Sequence, residues 1–355
     1  MKLKSQHFNI GIITINFNTD GDTINLVESV NKSKVGYGHI LCIIDNNSTE
    51  TKSKSLLDYL NENIDLNYKE LNLKINNQVN NECILRTTDE WIASNTNKLK
   101  VLLIKLDENI GFAAANNLGY SVLKNISSHF LIINNDVVVE KNLINELMNS
   151  FEGNEMCGLS TGKIYFGKPD NNVLWYAGGR FSFEPKIFNR HPYRGENDFN
   201  DEERQVTFAS GALILTSNQI IKKFNLFHEA FFFGEEDAAF SYKLLRDNYK
   251  IIYNPKAKCW HNVGTSRKKI SNNKWFNSKK NKSRFLLAAL TAPFYTYYFW
   301  LLMYLNLRVI KYIISGERYD LIEDMKSLIY SLKIRYSKSF FENQQLINSS
   351  KYLSH

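Results

Sequence analysis

Residues 10–18 read IGIITINFN, a β-branched apolar run that stops on Asn-Phe-Asn. A short run of this kind with polar ends reads as a strand buried on both faces. Working outward, Asp22 is placed to cap a helix in which Ile24, Val27 and Val30 recur at helical spacing. The next apolar run, ILCII at 40–44, gives way at once to DNNSTE. VLLIKL at 101–106 predicts a strand, 112–124 a helix, and FLIIN at 130–134 a further strand. Strand, helix and strand in repetition predict an α/β domain with a Rossmann-like, mostly parallel central sheet. Ligands of such sheets bind beyond the carboxyl ends of the strands. Polar residues collect there: Asn16 and Asn18 close the first strand, Asp45 the second, and Asn134, Asn135 and Asp136 a later one.

With 355 residues, 43% of them apolar, the chain has room for one large domain with appendages or for two small domains, and dominant disorder is excluded. Only 5 prolines and 17 glycines rule out a collagen-like or linker-dominated chain. Cys42, Cys83, Cys157 and Cys259 lie far apart, with no CxxC pair. That pattern predicts neither a zinc module nor a disulfide framework and fits a reducing compartment. The N-terminus has too short an apolar run for a secretory signal, so no export is expected. Residues 51–98 are polar and weakly patterned, and predict a short helix, with Leu56, Leu57 and Leu60 inward, followed by a surface excursion.

Several segments carry residues suited to chemistry. Asp136 follows a strand and two asparagines; it can open a turn, or it can hold Mg²⁺ or Mn²⁺ together with a diphosphate. In FFFGEED, 231–237, Glu236 and Asp237 stand at the start of a predicted helix, where the helix dipole alone accounts for acids. The other reading is a general base beside an aromatic wall. His261, in KCWHNVGTS, is either a solvated or structural histidine or a metal ligand. In ENIGFAAANNLGY, 108–120, Gly111 and three alanines precede Asn116 and Asn117, which suits either close backbone approach to a ligand or tight helix packing. The segment is not a GxGxxG fingerprint, which disfavours a nucleotide-dependent oxidoreductase.

Taken in order, these segments resemble the family-2 inverting glycosyltransferases of GT-A fold, particularly a rhamnosyltransferase-like branch. The matching stretches are IGIITINFN (10–18), IIDNNSTE (43–50), NIGFAAANNLGY (109–120), FLIINNDVVV (130–139), WYAGG (175–179), SGALILT (210–216), FHEAFFFGEED (227–237) and IIYNPKAKCWHNVGTS (251–266). The resemblance implies a dTDP- or UDP-sugar donor and a saccharide or lipid-linked saccharide acceptor, in cell-surface polysaccharide synthesis. It implies that Asp45 would bind the donor's base, with Asn16 lining the same pocket. Gly111 would belong to the donor site, and Asn117 and Asn135 would lie near the nucleotide sugar. Asp136 would ligate Mg or Mn with help from His261, and Asp237 would be the catalytic base, preceded by Glu236. Ala239 and Lys243 stand where the family often has an acid and an arginine. The alternative is a catalytically silent GT-A-fold scaffold on a membrane.

The basic charge is uneven. Residues 258–355 hold 17 Lys+Arg against 5 Asp+Glu, so the remainder of the chain is net acidic. Residues 267–284 hold eight cations and no acid, and 285–307 hold no charge at all. The organisation expected is a GT-A domain at 1–266, a polybasic linker at 267–284, an apolar aromatic helical segment at 285–316 and a tail at 317–355. The aromatic run, interrupted by Pro293, predicts an interfacial membrane anchor. A spanning helix and a buried helical hairpin are the other readings. Lipid is favoured over nucleic acid as the partner of the basic stretch. The location expected is the cytoplasmic face of the plasma membrane.

Overall fold

A computed structural model of the chain describes residues 8–74, 91–92, 97–169, 171–180, 201–263, 274–291, 294–315 and 318–336. Among the described residues, eleven strands form one sheet: β1 (Phe8–Asn16), β2 (His39–Asp45), β3 (Leu66–Leu73), β4 (Leu99–Leu106), β5 (Ser127–Ile133), β6 (Val137–Val139), β7 (Cys157–Phe166), β8 (Leu174–Tyr176), β9 (Arg204–Val206), β10 (Leu213–Ser217) and β11 (Lys250–His261). The order across the sheet is β3-β4-β2-β1-β5-β10-β7-β11-β6, with β8 on β7 and β9 on β11. The helices within the span of these strands are α1 (Asp20–Asn31), α2 (Glu50–Glu62), α3 (Phe112–Leu123), α4 (Leu143–Asn149), α5 (Asn218–Phe224) and α6 (Glu236–Arg246). Beyond them come α7 (Lys274–Thr291), α8 (Phe294–Ser315) and α9 (Arg318–Tyr336).

The half of the sheet from β3 to β5 is parallel throughout. The other half is mixed, so the sheet as a whole departs from the mostly parallel expectation: β10 is antiparallel to both its neighbours, as are β6 and β9 to β11 and β8 to β7. The reason lies in the entry point of β10. Its first residue, Leu213, pairs with Ile133, the last of β5, so the chain comes in at the carboxyl edge and runs back.

The β-branched run of β1 is buried on both sides, as its composition requires. Ile10 and Ile12 pack with Leu26, Val27 and Val30 of α1, while Ile13 packs with Ala113, Ala115 and Leu118 of α3. Helix α1 begins at Asp20, two residues before the expected cap. Asp22 lies in the first turn instead, near the positive end of the helix dipole, and accepts a hydrogen bond from Asn262 Nδ2 (3.3 Å). In the excursion, α2 buries Leu56 and Leu60 as expected, and β3 is a strand that the polar sequence LNYKELNL conceals. Residues 75–90 and 93–96 of the excursion, and Cys83, lie outside the described residues. Cys42, Cys157 and Cys259 are buried free thiols.

Helix α7 runs straight through the 284/285 composition boundary. Residues 264–266 at the end of the 251–266 stretch, 267–273 of the basic stretch and 337–355 of the tail lie outside the described residues. Among the described residues no helix is long and apolar enough to cross a membrane.

Candidate active site

The polar strand ends meet along one edge of the sheet. Asn16, the last residue of β1, is in register with Asp45, the last of β2. Its Nδ2 donates to Asp45 Oδ1 (3.2 Å) and Ser48 Oγ (3.2 Å), and its Oδ1 accepts from Thr23 Oγ1 (2.9 Å). Asn135, beyond the end of β5, donates to Thr19 Oγ1 (2.6 Å) and Thr23 Oγ1 (2.8 Å). Asn16 and Asn135 are therefore joined through the hydroxyls that open α1. These side chains are buried, apart from the half-buried Ser48, so each amide has its partners fixed by the fold.

Next along the edge is Asp136. Asn262 N–H donates to Asp136 O (2.8 Å), which ties the turn to the end of β11. His261 Nε2 then lies 2.9 Å from Asp136 Oδ1. Both Asp136 Oδ1 and His261 Nδ1 are buried without a hydrogen bond. Adjacent ligands of an octahedral cation bonded at about 2.0–2.1 Å are themselves about 2.9 Å apart, so the pair fits two neighbouring positions of such a shell. No third His, Cys, Asp or Glu joins them among the described residues. Phosphate oxygens and water would complete the shell, as is usual for Mg²⁺-type ions. Trp175 of β8 holds the imidazole from the side, with ring centroids 4.6 Å apart at 87°.

The third carboxylate reaches the same edge by a different route. Asp237 lies in the first turn of α6, with Oδ2 accepting from Gly211 N–H (2.8 Å) and Oδ1 from Ala238 N–H (2.8 Å). Gly211 and Ala212 lead into β10, and Ala212 O accepts from Asn134 N–H (3.2 Å), beside Asp136. A carboxylate has about four lone-pair positions, so two backbone donors orient Asp237 and leave it able to take a proton. Just before it, Gly234 and Glu235 both have left-handed backbone, with φ of 78° and 77°. Such geometry in a non-glycine costs on the order of 1–3 kcal/mol and gathers at functional sites. Glu235, Glu236 and Asp237 are all buried.

A second set of contacts closes the circuit. Asn46, next to Asp45, donates through Nδ2 to Asn109 Oδ1 (3.0 Å) and accepts from Ile110 N–H (3.0 Å). Gly111, at the start of α3, sits against the loop that precedes α6: Phe112 N–H donates to Phe232 O (2.9 Å). The Asp45 end of the edge and the loop of Asp237 are thus held to each other directly as well as through the sheet.

Of the residues expected at the site, Asn16, Asp45, Gly111, Asn135, Asp136, His261 and Asp237 belong to this circuit, and Glu236 is the buried residue before Asp237 at the start of α6. Asn117 stands one turn along α3 and clamps the approach to the loop, donating to Phe227 O (2.7 Å) and Glu229 Oε1 (3.1 Å) and accepting from Phe227 N–H (3.1 Å). Lys243 points away from the chemistry: its Nζ caps the carboxyl end of α5 at Phe224 O, and burial pushes its ammonium down to about 8. The sequence marked Trp175 only as part of WYAGG, with no role, and did not single out Asn46, Thr19, Thr23 or Ser48. Asn46 and Ser48 lie in the polar run after β2, which was the available signal. Thr19 and Thr23 give none, because only the fold brings α1 to Asn135.

No protein family and no curated protein sequence matches the chain. Solved structures do. GalNAc-T7, in a crystal structure with UDP, GalNAc and Mn²⁺, aligns at 15% identity and a TM-score of 0.52 over 72% of this chain and 44% of its own. The mannosyltransferase PcManGT from Pyrobaculum calidifontis aligns at 11% identity and TM-score 0.47, covering 93% of this chain and 76% of its own. S. aureus TarS 1-349 aligns at 12% identity and TM-score 0.49, covering 92% and 82%. The fold is that of the GT-A-type glycosyltransferases. The chain spans less than half the length of the GalNAc-T7 chain that it resembles.

Proposed function

We propose that this protein is an inverting glycosyltransferase that moves a hexose or deoxyhexose from a nucleoside-diphosphate sugar to a hydroxyl of a saccharide acceptor. The observation that carries the proposal is the closed circuit of contacts that brings Asp45, the Asp136–His261 pair and Asp237 to one edge of the sheet. Its support is twofold: this edge is where α/β sheets bind ligands, and GalNAc-T7, which shares the fold, was crystallised with UDP, GalNAc and Mn²⁺.

In this reading Asp45, held by Asn16, hydrogen-bonds the base, and UDP or dTDP is the favoured carrier. Asn135 and the Gly111 loop border the sugar. Asp136 and His261 hold Mg²⁺ or Mn²⁺, which when bound offsets the charge that builds on the leaving diphosphate. Asp237 accepts the proton of the attacking hydroxyl, and direct displacement inverts the anomeric centre. Glu236 stands beside it as the second buried acid of the helix start. The acceptor proposed is a lipid-linked saccharide at the cytoplasmic face of the membrane, in the synthesis of cell-surface polysaccharide, as in the rhamnosyltransferase-like branch.

Asp237→Asn tests the assignment. Transfer is expected to fall by about 10²–10⁴ in kcat. Nucleotide-sugar binding, read by thermal shift, is expected to persist. Near-normal turnover in this variant would remove Asp237 from the role.

A further inference from the structure

Helix α7 has two buried sides. Leu286 and Leu287 enter the apolar cluster that contains Phe231 and Ala238, the residues flanking the strained turn before and after Asp237. Ser283 Oγ donates to Phe233 O (3.3 Å) in the same loop, and Arg284 Nε lies 3.9 Å from Glu235 Oε1. On the other side, Phe285, Ala288 and Ala289 form a separate cluster with Tyr297 and Leu301 of α8 and Leu328 of α9. Tyr297 Oη and Ser331 Oγ, 3.0 Å apart, join α8 to α9. The helical region is thus bolted to the loop of Asp237.

One side of α8 is bare. Phe299, Leu302, Met303, Ile310 and Ile313 share it, with exposures from 46% to 74%. They recur at helical spacing, opposite Tyr297 and Leu301, so the pattern is a true second face of the helix. No charged residue falls on it, whereas the 18 residues of 267–284, leading into α8, carry eight cations and no acid. An uncharged aromatic and aliphatic face, in a helical region whose sequence opens with this concentration of positive charge, matches an anionic lipid surface in both its layers: the headgroups attract the cations and the acyl boundary takes the apolar side chains.

We propose that the bare side of α8 seats on an anionic bilayer, and that α7 makes this seat one body with the loop carrying Glu235 to Asp237. The helical region then fixes how the catalytic edge stands on the membrane, and lipid contact is felt at the catalytic loop. The proposal goes beyond the transfer chemistry, and its readouts do not use donor turnover, so either can fail without the other.

The test uses the full chain with phosphatidylglycerol vesicles and phosphatidylcholine vesicles. The wild type is expected to sediment with the first, more weakly with the second, and to lose at least about tenfold in partitioning to the first at raised salt. Leu302→Ser with Ile310→Ser is expected to cost at least about another tenfold. Its melting temperature is expected to stay that of the wild type, because both side chains are exposed in the free protein. Amide exchange across residues 231–238 is expected to slow on vesicle binding in the wild type and not in the variant. Wild-type partitioning by the variant would overturn the seat, as would equal binding to both lipids or a stable dimer that the same substitutions dissociate, which would assign the face to a second copy of the chain. Unchanged exchange at 231–238 with vesicles bound would overturn the link through α7.

Discussion

Gly111 carries the tightest steric constraint at the candidate site. Its φ is +85°, and a Cβ built on it would lie 2.7 Å from Phe232 O. Gly111→Ala therefore meets both a left-handed backbone and a carbonyl that is already bonded to Phe112 N–H. It is expected to lose about 1–3 kcal/mol of stability by denaturant unfolding, and to weaken nucleotide-sugar binding along with it. An alanine variant as stable as the wild type would show that the loop contact is not made. His228, in the segment leading to the loop, gives a prediction in pH. It is buried, and its Nδ1 accepts from Ala230 N–H (3.0 Å). Burial, and after it the charge of Lys243, hold its pKa down to about 4 from the usual 6.5. The unfolded chain takes up this proton below pH 6.5 while the folded one refuses it, so stability falls as pH drops from about 6.5 to about 4. The loss is up to about 3 kcal/mol. In His228→Asn, which keeps an acceptor near the position of Nδ1, that part of the pH slope should vanish; an unaltered slope in thermal melts would contradict it. At this scale Asp45 and Asp136 were legible because each follows an apolar strand run, and Asp237 and His261 through the stretches FHEAFFFGEED and IIYNPKAKCWHNVGTS in which they stand. Asn46 was not, because its partners lie 63 to 65 positions away and nothing local marks them.

Among the elements, strands with both faces buried were legible, because continuous Ile, Val and Leu leave few other structures open to β1, β2, β4 and β5. An edge strand has no such requirement. β3 pairs along one edge with β4 and buries only Leu66, leaving Asn, Lys and Glu partly exposed, so its sequence resembles a loop. The direction of β10 was also illegible, since a single apolar run does not say from which edge of the sheet it is entered. Composition misplaced the join at α7 for a related reason: the cations before 285 and the apolar residues after it are successive turns of one helix. The structural use of that helix can be tested. Leu286 is fully buried in the apolar cluster that holds Phe231 and Ala238. Leu286→Ala should destabilise the protein by about 2–5 kcal/mol, seen as a lower denaturant midpoint with an unchanged slope. A change within a few tenths would mean that α7 is a loose appendage.

For the molecule as a whole, the acidic and amide side chains sit along one sheet edge, while the excess of positive charge belongs to residues 258–355. The placement of charge follows the division of labour proposed: carboxylates and amides around a metal-bound diphosphate, cations toward anionic lipid. The central claim is that Asp45, Asp136 with His261, and Asp237 serve one activated sugar. Its most direct test is a thermal-shift panel of UDP-, dTDP- and GDP-sugars, with and without Mn²⁺, on the wild type and on Asp136→Asn. Ligand that binds only the folded chain at about 100 times its Kd adds about 2.7 kcal/mol of stability, so a true donor is visible as a rise in Tm. The result expected is a rise with at least one nucleotide sugar that grows with Mn²⁺ and loses its Mn²⁺ dependence in Asp136→Asn. No rise with any of these sugars in the presence of Mn²⁺, or the same Mn²⁺ dependence in the variant, would contradict it.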